Sequence, residues 1–422
     1  MRIVLIGINY APEIISTAVY STGLAEDMAA RGHAVCVITA QPYYPAWKVM
    51  DGWPKYTYRS EVSASGVRIT HCPLYVPSRP SGMKRILHHI TFAITAMPIA
   101  IARALREKPD LVVVVAPSLL SGPVGWIAAR LSGARTWLHI QDFEVEAAFA
   151  TQLLKADSFI GRQAMRFEAW LLKKFDRVST ISRPMLDKLR QKGVPESRIH
   201  ELRNWANLSK VTPLAGVSPL KAELGISTPY VALYSGNLAN KQGLEIIPEA
   251  ARKLAHRKDI TIAVCGDGPM RERLVEMSAD VPTIRFFPLQ PLDRLSDLLG
   301  MATLHLLPQI AGAADLVLPS KLTNILASGR PVIATTKVGT ALADEVADCG
   351  LVTSPGDAAE MAKAIEALLD SEELRRRLGR NARQRALEHW DGAAILGRFA
   401  DALANLVQPD AISPHEIKRT AI

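Results

Sequence analysis

Ser235-Gly236-Asn237-Leu238-Ala239-Asn240-Lys241-Gln242-Gly243-Leu244 sets two glycines and a lysine between an apolar run and a helical pattern. Glycines at 236 and 243 let the backbone approach an anion, the next helix presents unpaired N–H groups, and Lys241 adds a compact positive charge. These are the parts of a phosphate cradle. The plainer reading is a Gly-Asn turn with a solvated lysine; the strand-turn-helix context favours the cradle. Cys265-Gly266-Asp267-Gly268-Pro269 closes a second apolar run at the carboxyl end of a strand, where ligands of α/β sheets bind. Asp-Gly-Pro is also turn chemistry, so Asp267 and Gly268 are expected to line a site rather than react.

Pro319-Ser320-Lys321-Leu322-Thr323-Asn324 opens a helix that runs to Gly329. Ser320 can cap it, and Lys321 places a cation in the first turn, against the helix dipole. Such a lysine calls for an anionic partner; an ordinary capped helix with an exposed lysine is the competing reading. Nearer the N-terminus, Asn9-Tyr10-Ala11-Pro12-Glu13-Ile14-Ile15-Ser16-Thr17 joins the first strand to the first helix, where Ser16 and Thr17 offer hydroxyls and backbone N–H groups. The spacing is not GxGxxG, which speaks against ordinary dinucleotide binding. In Leu138-His139-Ile140-Gln141-Asp142-Phe143-Glu144-Val145-Glu146 a buried strand runs out into acids. Asp142 and Glu144 are candidates for activating an acceptor or holding hydroxyls, and a helix N-cap is the rival role for Asp142. His139 falls inside the strand and reads as a core histidine.

Other chemistries find no pattern. His88 and His89 are adjacent and cannot share a helix face, and no HExxH motif, Gly-x-Ser-x-Gly elbow or Walker lysine occurs. Cys36, Cys72, Cys265 and Cys349 lie far apart, which fits core filling in a reducing compartment rather than disulfides or zinc.

The elements that must position these residues alternate between apolar runs and helical patterns, the signature of parallel sheets covered by helices. Residues 3–6, 34–39, 111–115, 135–140 and 178–181 read as strands, with helices over 20–31, ending at Gly32, and over 122–131. A softer stretch, 207–229, carries Pro213, Gly216, Pro219, Gly225 and Pro229 and reads as a hinge. Strands restart at 230–234, 260–265, 284–287, 304–307 and 332–334; helices follow over 358–407, and 409–422 reads as a frayed tail. Two Rossmann-like domains in tandem are expected.

The 422 residues suit two or three domains, and 48% apolar against 22% charged residues is the balance of a folded enzyme. The net charge of +9 suits polyanionic partners or an anionic membrane surface. A nucleic-acid binder is the weak form of that idea, because no aromatic-basic repeat or known module accompanies the charge. The opening Met1-Arg2-Ile3-Val4-Leu5-Ile6-Gly7 reads as a buried strand rather than a secretory signal. Residues 86–104 are the most apolar long window, but His88, His89, Pro98 and Arg103 interrupt it, and a spanning helix is not expected. With Lys84, Arg85, Arg106 and Lys108 at its ends, the 83–108 segment fits a helix lying on an anionic surface as well as it fits a packed domain helix.

The order of motifs resembles the retaining glycosyltransferases of family 4 with the GT-B fold, and among them bacterial colanic acid and exopolysaccharide enzymes. Tyr10-Ala11-Pro12-Glu13, Arg31-Gly32-His33-Ala34-Val35, Gln141-Asp142, Asn204-Trp205 and the runs 235–244, 266–269 and 319–334 carry the likeness over nearly the whole chain. It implies an α/β GT-B architecture, two Rossmann-like domains facing each other across a cleft. The first, 1–206, would hold the acceptor and the second, 207–389, the nucleotide sugar, with helices around 390–407 returning to the first and 408–422 a flexible tail. It further implies hexosyl transfer with retention from a UDP- or GDP-sugar to a lipid-linked saccharide, without cofactor or metal, on the cytoplasmic face of an anionic membrane. Asp142, Lys241 and Lys321 would be catalytic. Gly236, Asn237, Gln242, Gly243, Asp267, Gly268, Ser320 and Asn324 would bind the donor, and Ser16, Thr17 and Glu144 the acceptor. A GT-B epimerase or phosphorylase is the enzymatic alternative and a non-enzymatic polyanion binder the other. Several positions depart from the family pattern. Asn237 stands for its arginine, Lys241 or Gln242 falls at its lysine, and Gln141 replaces its histidine. Ser16-Thr17 replaces its double glycine, and Asn324 stands for the second of two glutamates, with Asp315 and Lys321 the nearest charges.

Overall fold

The computed structural model describes residues 1–14, 16–150, 157–206, 208, 211–238, 242–310, 319 and 321–407. They divide into two compact units, Met1–Arg203 with the chain from Leu396, and Asn204–Ile395.

In the first unit eight strands form one sheet: β1 (Arg2–Gly7), β2 (Ala34–Ala40), β3 (Arg59–Val62), β4 (Arg68–Cys72), β5 (Leu111–Ala116), β6 (Arg135–Ile140), β7 (Arg177–Thr180) and β8 (Ile199–Glu201). The order is β3-β4-β2-β1-β5-β6-β7-β8, parallel throughout except for β3 against β4. Unbroken apolar runs such as Leu-Val-Val-Val-Val-Ala in β5 are buried along their whole length, as strands covered on both faces must be. The edge strand β3 and its neighbour β4 escape the sequence reading because Arg-Ser-Glu-Val and Arg-Ile-Thr-His-Cys are short and largely polar. β8, three residues long, escapes it for the same reason.

The second unit has β9 (Tyr230–Ser235), β10 (Ile260–Cys265), β11 (Ile284–Phe287), β12 (Leu304–Leu307), β13 (Val332–Thr335) and β14 (Gly350–Thr353) in the order β11-β10-β9-β12-β13-β14, all parallel. In each sheet the chain reverses direction of build once, between β1 and β5 and between β9 and β12. The carboxyl ends of those pairs are where doubly wound sheets bind ligands.

The 207–229 stretch, expected as a hinge, contributes to the second unit: the helix Pro219–Glu223 forms there, and Leu220 and Ile226 are buried beside Leu233 and Phe287. From Leu396 the helix Gly392–Val407 belongs to the first unit, where Phe399 meets Trp137 edge-on with ring centroids 4.9 Å apart. The 408–422 tail lies outside the described residues. All four cysteines are buried and free.

The helix Gly82–Glu107 is long and apolar enough to cross a bilayer, with mean hydropathy 1.4. One row of it, His88, Phe92, Ala96, Ala100 and Ala104, is buried, and the helix packs on Gly122–Ser132. Its opposite side carries Met83, Leu87, Ile90 and Ile94, at i, i+4, i+7 and i+11 on one face, and these are 74%, 47%, 38% and 64% exposed.

Candidate active site

At the carboxyl end of β9 the chain leaves the sheet through Gly236, whose φ of +119° excludes most side chains. Its N–H donates to the Cys265 carbonyl at 2.8 Å, tying the ends of β9 and β10 together. A Cβ at Gly236 would stand 2.7 Å from Cε and 3.0 Å from Nζ of Lys321. The glycine therefore makes room for a side chain that starts on the helix Lys321–Ala327. Gly266 is tighter still, since its Cβ would meet the Gly236 carbonyl oxygen at 2.0 Å, and a Cβ on Gly268 would strike Asn237 Oδ1 and the Leu238 carbonyl at 2.7 Å. Three glycines thus bring two strand ends close enough to form a floor for one lysine.

Lys321 is the centre of this group. Its ammonium donates to the Tyr234 hydroxyl oxygen and, at 3.4 Å, to Gln242 Oε1, and it stands 4.1 Å from the Tyr234 ring centroid. Tyr234 OH donates in turn to the Asn237 carbonyl at 2.7 Å and also reaches Gln242 Oε1. All these partners are neutral, and among the described residues no carboxylate forms an ion pair with Lys321. Burial brings its pKa from 10.5 down to about 7. An ammonium whose described partners are all neutral can take up an anion.

The remaining donor-side expectations are placed as follows. Asn237 is exposed beside Gly268, and Gln242 stands against Lys321 and Tyr234. Gly243, at φ +63°, lets the backbone of Gln309 and Ile310 pass close by. Asp267 turns its carboxylate back to the Gly268 N–H at 2.8 Å, a turn role, and its carbonyl accepts from Leu238 N. Asn324 is half-buried one turn into the helix that carries Lys321. Lys241, Ser320 and Asp315 lie outside the described residues. Sequence reasoning missed Tyr234; an inward-pointing tyrosine at the end of a strand, one residue before the Ser-Gly turn, was the available signal.

In the first unit, Ser16 and Thr17 begin the helix Ser16–Ala30 after β1, and Thr17 is half-buried. Asp142 is half-buried just past β6. Glu144 is committed to the backbone: its two oxygens accept from Ser118 N and Leu119 N, both at 2.6 Å, with His89 Nε2 3.8 Å away. It shapes the loop after β5, where Ser118 has φ +90°. His139 is a core residue held by Ser179 Oγ at 2.9 Å and Gln141 Nε2 at 3.0 Å, and burial lowers its pKa to about 3. Because the Gln141 amide donates to Nε2, the His139 proton sits on Nδ1. Glu13, also missed, is buried and accepts from the backbone of Tyr43 and Tyr44 and from Asn9 Nδ2 at 2.8–2.9 Å. It holds the loop after β2, whose Tyr43 and Trp47 rings pack on His88 at 4.4 and 5.4 Å.

Residues 17–205 match the glycosyl transferase 4-like domain and 218–385 the glycosyl transferases group 1 domain. The sucrose-phosphate synthase of Thermosynechococcus elongatus shares the fold, with a TM-score of 0.77 at 19% identity over 97% of this chain and 100% of its own. So does Anabaena HepE, solved in complex with UDP-glucose, with a TM-score of 0.67 at 15% identity over 96% of this chain and 100% of its own. The chain belongs to the glycosyltransferases of the GT-B fold built from these two domains. Among individual proteins it is 41% identical over 350 residues to the putative colanic acid biosynthesis glycosyl transferase WcaI of Escherichia coli, an alignment that spans 81% of this chain and 85% of that one.

Proposed function

We propose that this glycosyltransferase moves a hexosyl group from a UDP- or GDP-sugar onto a lipid-linked saccharide during exopolysaccharide synthesis, with retention of anomeric configuration. The observation that carries the donor side is the half-buried Lys321 ammonium over the Gly236 floor, surrounded by neutral groups and lacking a carboxylate among the described residues. Its missing counter-charge is the donor diphosphate. In the transfer, the bond between the anomeric carbon and the diphosphate oxygen breaks, the acceptor oxygen bonds to that carbon on the same face, and the acceptor proton passes to the departing phosphate. Lys321 stabilises the charge that grows on the leaving group, a role that electrostatics fills best where water is excluded. Asp142, at the end of β6, is the candidate for orienting the acceptor hydroxyl. The likeness to WcaI supports the pathway, and the HepE complex with UDP-glucose supports a nucleotide sugar as donor.

The helix Gly82–Glu107 supports a site of action on the inner membrane surface. Its exposed stripe of Met83, Leu87, Ile90 and Ile94, next to Lys84 and Arg85, is the pattern of an interfacial helix. Incubating the purified chain with UDP- and GDP-sugars and lipid-linked saccharides, then reading the product by mass spectrometry and the new linkage by NMR, tests the proposal. An α-linked product from an α-linked donor is expected. No transfer with any donor overturns it, and release of free sugar or an epimerised donor assigns the protein a different reaction.

A further inference from the structure

The second unit contains a cavity of about 800 Å³ away from Lys321. It is lined where strands begin, by Tyr230, Thr303 and Pro331, whereas Gly236 and Lys321 stand where strands end. The sheet's length separates the two, roughly 20 Å for strands of this size. Among the described residues the lining holds Lys221, Arg330, Arg375, Arg376, Arg380 and Arg383 against one carboxylate, Glu372.

Four of the six arginines after Glu372 in the helix Glu372–His389 line the cavity, with Arg376, Arg380 and Arg383 on one face at i, i+4 and i+7. Like charges at that spacing repel, so the ladder is unfavourable without counter-ions. The fold neutralises little of it. Glu372 pairs with Arg376 at 2.6 Å, while Arg380 makes no hydrogen bond or ion pair among the described residues. Arg375 spends one nitrogen on the carbonyls of Leu368 and Leu369, and Arg383 one on those of Val211 and Ala327. Each keeps further N–H groups in hand. Across from the ladder, Arg330 donates from one terminal nitrogen to the Gly300 carbonyl, and its Nε is buried with no partner. Burial also lowers its pKa. Gly379 keeps this wall close, because a Cβ there would meet the Gly329 carbonyl oxygen at 2.4 Å.

We propose that this cavity binds a small, multiply charged anion carrying a diphosphate group, at a site separate from the one that holds the sugar donor. A planar guanidinium matches phosphate oxygens two at a time, and a ladder spanning seven residues, about 10 Å of helix, suits linked phosphates better than a single ion. The concave shape favours a compact ligand over a flat membrane surface. The anion site rests on the cavity's own residues, and its separation from a donor site at Lys321 rests on the transferase reading.

Inorganic pyrophosphate titrated into the full chain by calorimetry is the test. Two sites are expected in the unmodified protein. Lys321→Met should remove one and leave the other; Arg376→Gln with Arg380→Gln should weaken the second at least ten-fold and spare the first. Both arginines are exposed, and Arg380→Glu alone provides a second variant if the double one fails to fold. A single site abolished by Lys321→Met, or arginine variants that titrate like the parent, overturns the proposal. So does arginine-dependent flotation on anionic-lipid vesicles without pyrophosphate binding, which would assign the patch to a membrane.

Discussion

Lys321 concentrates the chemistry of the second unit in one side chain. A lysine in the first turn of a helix is an anomaly that the sequence exposes, and the structure resolves it by seating the ammonium on Tyr234 and Gln242 rather than in solvent. Lys321→Ala is expected to lower kcat/KM about 10²-fold in a donor-turnover assay, the scale of losing one preorganised contact to a developing oxyanion. Wild-type turnover in this variant would remove the phosphate role. The pH behaviour follows from the pKa near 7 in the free protein. The amine is charged below that pH and neutral above it, and a bound diphosphate favours the charged form. UDP should therefore bind more weakly as pH rises from about 6 to about 8.5, with proton uptake on binding at the upper end. Calorimetry in two buffers of different ionisation enthalpy reads that proton, and its absence would mean that the nucleotide does not engage Lys321.

At the scale of elements, Gly236 was legible as part of a phosphate-type turn and Gly268 as lining at a strand end, yet the physical reason for these two glycines and for Gly266 differs from the one the sequence offers. They permit close approach of protein to protein: strand end to strand end, and the Lys321 side chain over the turn. Glu144 shows the same kind of shift. Read as an acceptor-side acid, it stands as the clamp of the loop after β5, with each oxygen on a backbone N–H. Glu144→Ala leaves the Ser118 and Leu119 N–H groups without their acceptor and should cost about 1–3 kcal/mol, visible as a lower urea midpoint. An unchanged midpoint would show that water replaces the carboxylate there. The edge strand β3 and its neighbour β4 were hidden for a related reason. β3 is mostly exposed, and β4, though buried from Ile69 to Cys72, carries Thr70 and His71 in its middle, so no apolar run marks either.

Over the whole molecule, the net charge of +9 acquires places. A large share lines the strand-start cavity of the second unit, one half-buried cation stands at its strand ends, and Lys84 and Arg85 stand at the start of the Gly82–Glu107 helix. At the other end of that helix Arg103 shares Glu107 with Arg68, and Arg106 and Lys108 lie beyond the exposed apolar stripe. Membrane docking is therefore expected to depend on the first turns. Met83→Ser and Leu87→Ser with Lys84→Gln and Arg85→Gln should abolish flotation on anionic vesicles, while Arg103→Gln and Arg106→Gln should change it little. Equal flotation of all variants would make the helix a domain element only.

The sequence by itself determined the two parallel-sheet domains, the strand ends at which ligands gather, the core roles of His139 and the cysteines, and the family likeness. Those properties are local: an apolar run of strand length, or a glycine at a strand end, reads the same whatever packs on it. Only the tertiary structure decided which polar groups face each other. Tyr234 and Lys321 meet across 87 residues of chain, Glu144 reaches a loop 26 residues back, and the arginines of the Glu372–His389 helix gather with Lys221 and Arg330 around one cavity. The state of a polar side chain depends on its burial and on its partners, and no periodicity in the chain records who those partners are.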